Sequence, residues 1–138
     1  MDESNALAAC QRLVSAFAHH VDHRDAEKVV QLFAEDGTFE RRGEILRGQA
    51  EIRASQAKRP PGVVVRHVCA PSHLELIDAE HARGVTYFQI FRANGSSNEV
   101  LPMPHPEVLG QFEDEFVLTP AGWRIQARRA RGIFRHGA

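Results

Sequence analysis

Between residues 5 and 22, Leu7, Cys10, Leu13, Val14, Phe17, Ala18 and Val21 recur at intervals of three and four. That spacing lines one face of an α-helix, so the pattern predicts a first amphipathic helix over 5–22. Ala26, Val29, Val30 and Phe33 repeat the period and predict a second helix over 25–34. Asp25 stands where its N-cap would be, and Asp36-Gly37 where a left-handed glycine would close it. Thr38-Phe39-Glu40-Arg41 reads as a short strand, and Glu44 to Arg47 as a second extended piece between Gly43 and Gly48. A third helix is expected over 49–57, with Ala50, Ile52, Arg53 and Ala57, and Arg59-Pro60-Pro61-Gly62 stops it.

The period then changes to two. Val63 to Asp78, His81 to Ala93, Glu107 to Thr119 and Gly122 to Phe134 alternate as strands do. Asp78-Ala79-Glu80, Asn94-Gly95-Ser96-Ser97-Asn98 and Pro120-Ala121-Gly122 supply the turns. The longest loop runs from Asn94 to Pro106, and its length leaves open a lid, an oligomer contact or a disordered connection. Helices in the first half and long strands at meander spacing in the second predict an α+β fold, a strongly curved antiparallel sheet with helices on one face. A sheet bent around a helix leaves a hollow between them.

At 138 residues the chain reads as one domain, 1–138, large enough for a core and a small pocket. Seventeen basic residues against eighteen acidic ones leave a formal charge of −1, which favours neither nucleic acid nor an acidic membrane surface as a partner. No apolar run reaches the roughly 20 residues a bilayer requires, and the Met1-Asp2-Glu3-Ser4 start is acidic. Cys10 and Cys69 make no disulfide framework, so a reducing cytoplasm is the expected setting.

Two inward polar residues stand out. Asp22 lies below the apolar column of Val14 and Ala18 at the end of the first helix. It either caps the next helix or meets a partner. On the strand Val63-Val64-Val65-Arg66-His67-Val68-Cys69, alternation puts His67 on the face of Val63, Val65 and Cys69, while Arg66 points away with Val64 and Val68. An inward histidine is either a satisfied core residue or a base. A carboxylate on its Nδ1–H would fix the tautomer, stabilise the imidazolium and leave the other nitrogen free toward the hollow. Such a dyad removes protons from carbon beside a carbonyl or a leaving group.

The last strand is rich in cations, and alternation puts Arg124, Gln126 and Arg128 on one face and Trp123, Ile125 and Ala127 on the other. An inward arginine would meet a developing oxyanion or a leaving group. Arg129, Arg131 and Arg135 read instead as a solvated or subunit-facing edge. Asp114, between Phe112 and Phe116 on its strand face, either lines the hollow or pairs with one of these arginines. Phe17, Val65, Phe88 and Phe112 are the expected pocket lining. His19 and His23 share a helix face but lack further ligands at metal spacing, so no metal is expected. Cys69 sits about 7 Å from His67 along the strand, too far for activation as a nucleophile. Gly43 and Gly48 form no phosphate loop.

The order of these pieces resembles a known family. Asp22-His23-Arg24-Asp25, Leu32-Phe33-Ala34-Glu35-Asp36-Gly37, Gly48 before a helix, Arg66-His67, and Gly122-Trp123-Arg124-Ile125 followed by Arg128 are similar to the SnoaL-like polyketide-cyclase branch of the nuclear transport factor 2-like superfamily. The resemblance implies a cone-shaped α+β barrel, a curved sheet wrapped around the N-terminal helix over a deep pocket. Within it the chain resembles scytalone dehydratase, bile-acid dehydratase and hexachlorocyclohexane dehydrochlorinase. Their roles would fall on Asp22 as the orienting acid, His67 as the base and Arg128 on the final strand. The chain departs from them at Phe17, where those enzymes carry Tyr or Lys.

The expected function is a lyase or isomerase/cyclase that needs no cofactor and acts on a small, mostly apolar cyclic or aromatic substrate. Asp22, His67 and Arg128 would be catalytic, and Phe17, Val65, Phe88, Phe112 and Asp114 would contact the substrate. A homo-oligomer, dimer or trimer, is expected. The alternatives are a non-catalytic ligand-binding or assembly subunit, like a ring-hydroxylating dioxygenase β subunit, and a limonene-type epoxide hydrolase using Asp22 and Asp114 around Arg128. Fold alone does not choose among them.

Overall fold

The computed structural model describes residues 2–137. Helix α1 spans Glu3–Asp22, and the Asp2 carboxylate caps it by accepting from the Asn5 N–H at 2.8 Å. Ala6, Cys10, Leu13, Val14, Phe17, Ala18 and Val21 are its buried face, the stripe that the spacing predicts. Fully burying each of the larger side chains contributes roughly 1.5–3 kcal/mol.

The chain reverses immediately after Asp22. Arg24 takes the left-handed conformation at φ 59°, and the Asp25 N–H closes back onto the His20 carbonyl at 2.9 Å. A non-glycine residue there costs about 1–2 kcal/mol. The Arg24 guanidinium offsets this by donating to the carbonyls of Pro60 and Val63 at 2.7 and 2.8 Å. Those two bonds tie the end of α1 to the start of strand β3, Val63–Cys69. Asp22 and His67 therefore come together because the turn between the first two helices is anchored to the strand that carries the histidine.

Helix α2 is shorter than its apolar period implies. It spans Ala26–Val30, with Asp25 capping through the Lys28 N–H at 3.2 Å, and strand β1 runs from Phe33 to Arg41. Phe33 is buried as a strand residue, not a helical one. Asp36-Gly37 lies inside β1 at an irregularity. Gly37 is needed there for close approach: a Cβ would stand 3.0 Å from the carbonyl oxygens of both Ala34 and Ile125.

Strand β2, Glu44–Arg47, pairs with β1, and helix α3, Gly48–Ala57, packs on β1. The stretch expected as one strand from 63 to 78 is two, β3 and β4 (His73–Asp78), separated by Ala70-Pro71-Ser72. Proline cannot donate to a ladder, and the break lets both pieces pair with β5, His81–Asn94. Strands β6, Pro106–Thr119, and β7, Gly122–Arg135, complete a seven-stranded sheet in the order β2-β1-β7-β6-β5-β3, with β4 also on β5. All pairings are antiparallel except β1 with β7. The sheet is curved and unclosed, and α1 lies in its concave face. No helix among the described residues is long and apolar enough to cross a membrane.

Strand β7 contains the feature that strict alternation misses. Glu115 pairs with Ala127 and Phe116 with Ile125, so Gln126 is an extra residue, a β-bulge. The bulge shifts the facing: Trp123, Ile125 and Arg128 are all buried, whereas Gln126 and Ala127 are not. Gln126 Nε2 donates to the Asp36 carboxylate at 3.2 Å, which ties this bulge to the irregularity in β1.

Candidate active site

The Asp22 carboxylate takes two hydrogen bonds from one residue. Its Oδ2 accepts from the His67 backbone N–H at 2.8 Å, and its Oδ1 meets His67 Nδ1 at 2.6 Å. Asp22 is thus a partner and not a helix cap. An ionised carboxylate can only accept, so the Nδ1 proton is assigned and Nε2 is the unprotonated nitrogen of the neutral ring. The two side chains are 9% and 5% exposed, dry enough to hold the geometry yet open on one side. The imidazole lies against the rings of Phe88 and Phe112, with centroids 6.3 and 6.5 Å away.

That open side is a cavity of about 610 Å³, within the range of small-molecule sites. His67, Phe17, Val65, Phe88 and Phe112 line its interior, together with Val21, Ile90 and Val108. It lies between the C-terminal ends of α1 and α3 and the ends of β1, β5 and β7. None of residues 95–105 lines it.

Two expected site residues lie elsewhere. Arg128 Nε and Nη2 donate to the two oxygens of Asp114 at 2.7 and 2.8 Å, and both side chains are 0% exposed. Phe112 and Phe17 enclose the guanidinium at 3.9 and 4.4 Å from their ring centroids. Arg128 and Asp114 are therefore absent from the lining of the His67 cavity: the aromatic rings that form its wall stand between them and it. A guanidinium with a bidentate carboxylate and two aromatic faces is already satisfied, save for Nη1, which is buried without a partner. Asp22 bonds His67 and Asp114 bonds Arg128, so the two carboxylates do not flank Arg128 as a limonene-type epoxide hydrolase would need.

Cys69 does not line the cavity, and burial first pushes its thiol pKa up, with Asp22 and Asp114 adding to the effect and Arg128 opposing it. It is a protonated packing residue at neutral pH. The His19 and His23 rings stack at 4.2 Å, and His23 Nδ1 bonds the His19 carbonyl at 2.7 Å.

The SnoaL-like domain family matches residues 2–129. The chain belongs to that family. Solved structures agree on the fold. A Mycobacterium tuberculosis protein of unknown function superposes with a TM-score of 0.78 at 23% identity, covering 92% of this chain and 71% of its own. An NTF2-like protein with a cystatin-like fold from Novosphingobium aromaticivorans gives 0.77 at 20% identity, covering 97% and 84%. A candidate scytalone dehydratase from the same bacterium gives 0.75 at 15% identity, covering 93% and 84%. At such identities these likenesses establish the nuclear transport factor 2-like fold alone. No functionally curated protein matches the chain in sequence.

In this SnoaL-like chain the feature that sequence reasoning missed is the cavity's charge. Arg41 and Arg59 reach it, with Ser55 and Gln56 beside them. Arg41 donates to Ser55 Oγ, and Arg59 Nη1 to the Val21 carbonyl. Arg59 appeared in the sequence only as part of a helix stop, and Arg41 only as the end of a short strand. No local signal joins residues 18 positions apart, one on β1 and one in the loop after α3.

Proposed function

We propose that the protein is an enzyme in which His67 is the general base and Asp22 its orienting partner. In the proposed step His67 Nε2 takes a proton from a carbon beside a carbonyl of a small, mostly apolar cyclic substrate. The C–H bond breaks, its electron pair moves to the carbonyl oxygen as an enolate, and the proton becomes Nε2–H. The Nδ1–H bond to Asp22 persists and stabilises the imidazolium. Return of the proton to a different carbon is an isomerisation. Loss of a leaving group from the neighbouring carbon is an elimination, the lyase outcome.

One observation carries this reading: a histidine with Nδ1 held at 2.6 Å by a buried carboxylate, on the wall of an aromatic cavity. Phe17 gives the cavity no hydroxyl or amine at that position, so the proton donor of the second half-reaction in this scheme is His67 Nε2–H itself. The test is hydrogen–deuterium exchange into a panel of cyclic ketones and hydroxyketones, followed by NMR. The wild type should catalyse exchange of at least one member. Undiminished exchange in His67→Ala would end the proposal.

A second reading is a non-catalytic ligand-binding or assembly subunit. It is favoured by the apolar side chains on the outer face of the sheet, Val68 at 56% and Tyr87 at 62% exposed. The same face would serve a homo-oligomer. NMR titration of His67 separates the readings, since a histidine that only packs shows no ligand-linked shift in its titration.

A further inference from the structure

More than half of the chain's Lys and Arg residues converge on one cavity. Nine Arg and Lys side chains line it against two glutamates, although the whole chain carries a formal charge of −1. Some of these cations are neutralised. Arg92 pairs with Glu107 at 3.1 Å and Arg129 with Glu40 at 2.8 Å. Arg41 and Arg59 are not: each is partly buried, and neither has a carboxylate within 4.0 Å among the described residues.

Their surroundings work against the charge they carry. Burial first, then the positive charge of Arg42, pushes the Arg41 pKa down, with Glu44 opposing. Arg59 is likewise pushed down by burial, with Arg24, Arg92 and Arg41 repelling it and Asp22 attracting it. Arginine keeps its proton in proteins, so the effect is stored as unfavourable electrostatic energy and not released by ionisation. A folded chain that draws two uncompensated guanidiniums into a low-dielectric hollow is complementary to an anion.

The anion's place is set by what surrounds it. Arg41 stands over the Phe39 ring at 5.7 Å, and Phe39 packs on Phe17 at 5.4 Å, so the cationic part of the wall is continuous with the aromatic part. Arg59 is held at the Val21 carbonyl, one residue from Asp22, and so close to the dyad. The interior near His67 offers Val65, Phe88 and Phe112, which suit a ring and not a charge. We infer that the ligand of this cavity is an organic acid, an apolar ring bearing a carboxylate that Arg41 and Arg59 hold while the ring faces His67. The planar fork of each guanidinium matches a carboxylate edge. That the ring is a substrate for proton transfer rests on the reading of His67 as a base; the carboxylate contact does not.

The experiment uses paired ligands: a panel of aromatic and alicyclic carboxylic acids, the methyl ester of each, 2-naphthyl phosphate, and inorganic phosphate. Binding is measured by calorimetry on the full chain, with melting temperature as a second reading. At least one acid should bind about tenfold or more tightly than its ester, and Arg41→Gln and Arg59→Gln should each erase that preference. Arg59→Lys keeps the charge and should retain part of it. Arg41→Gln should also melt no lower than wild type without ligand, because it relieves repulsion; a purely structural arginine would show a lower melting temperature and an unchanged preference. His67→Ala should lose proton exchange whatever its affinity, and an acid-over-ester preference that survives in it faults the base and spares the carboxylate site. Equal binding of every acid and its ester overturns the inference, as does a preference that survives both glutamine variants. Tighter binding of 2-naphthyl phosphate than of any acid overturns the carboxylate assignment. An equal thermal shift from inorganic phosphate alone shows a bare ion site and overturns it too.

Discussion

Two buried carboxylates in this chain each grip a nitrogenous side chain from another element, and they end in opposite situations. Asp22 holds His67 with two hydrogen bonds, and His67 lines a cavity of about 610 Å³. Asp114 holds Arg128 with two hydrogen bonds, and the guanidinium's faces are covered by Phe17 and Phe112. The exposures are 9% and 5% in the first pair and 0% and 0% in the second. The aromatic rings separate them: the wall of the cavity is also the seal over the ion pair. A buried carboxylate thus marks a site only when its partner keeps a free valence toward open space. Imidazole, with two nitrogens, can serve a carboxylate and a substrate at once.

The sharpest way to break this contrast is to remove one member of the sealed pair. Arg128→Met leaves Asp114 as an uncompensated buried carboxylate and should destabilise the fold by about 3–5 kcal/mol in urea titration. The double change Asp114→Leu with Arg128→Met should recover most of that loss, since an apolar pair of similar volume carries no desolvation cost. If the single and double variants are equally unstable, the pair acts through packing alone, including the two cation–π contacts.

Changes in the open pair should read out in rate more than in stability. Asp22→Asn keeps an acceptor for the His67 N–H but turns a donor toward Nδ1, which selects the Nε2–H tautomer and removes the base. Proton exchange should fall about 10²–10⁴-fold, the usual scale of a lost general base, with a stability loss of about 1–2 kcal/mol. A comparable drop in melting temperature for Asp22→Asn and Arg128→Met would erase the distinction drawn between the two pairs.

Legibility in the sequence follows the same divide. Asp22 and His67 could be paired from the sequence because each lies on the apolar face of a regular element, where period alone sets direction. Arg128 could not be placed that way. Its inward position depends on the extra residue Gln126, and a bulge leaves no mark in an alternating pattern. Phe33 was misplaced because Val29, Val30 and Phe33 fit a helical period while Phe33 serves a strand. The cationic cavity was hidden for another reason. Its arginines come from β1, β5 and β7, from the turns after α1 and β1 and from the loop after α3, and the chain's near-zero net charge conceals their convergence.

A smaller effect tests how the open pair is positioned. Arg24→Gly relieves the left-handed backbone at φ 59° but loses both guanidinium bonds, to Pro60 and Val63. The gain of about 1 kcal/mol should be outweighed by the two charge-assisted bonds, for a net loss of about 1 kcal/mol in thermal melts. Proton exchange should weaken as well, because those bonds register Asp22 against β3. A variant as active as wild type would show that the Asp22–His67 bonds alone fix the dyad.

The smallest effect probes the sealed pair from a distance. Cys10 is fully buried on α1, and its thiol pKa is pushed up from 9.0 to about 11, by burial first and then by the negative charge of Asp114. A group with a raised folded pKa favours folding while it stays protonated. Its contribution is full below the unfolded value near 9.0 and is lost as pH climbs through the folded value near 11. Stability should therefore decline over that alkaline window, and Cys10→Ala should flatten the decline while costing little at neutral pH. Thiolate absorbance of a Cys69→Ser chain, which isolates Cys10, should titrate near 11. Placing Asp114→Leu and Arg128→Met together in that chain should move the titration down only slightly, because burial is the larger cause. A large drop would mean that solvent has entered the space beneath Phe17 and Phe112, and that the ion pair, not the aromatic packing, keeps it closed.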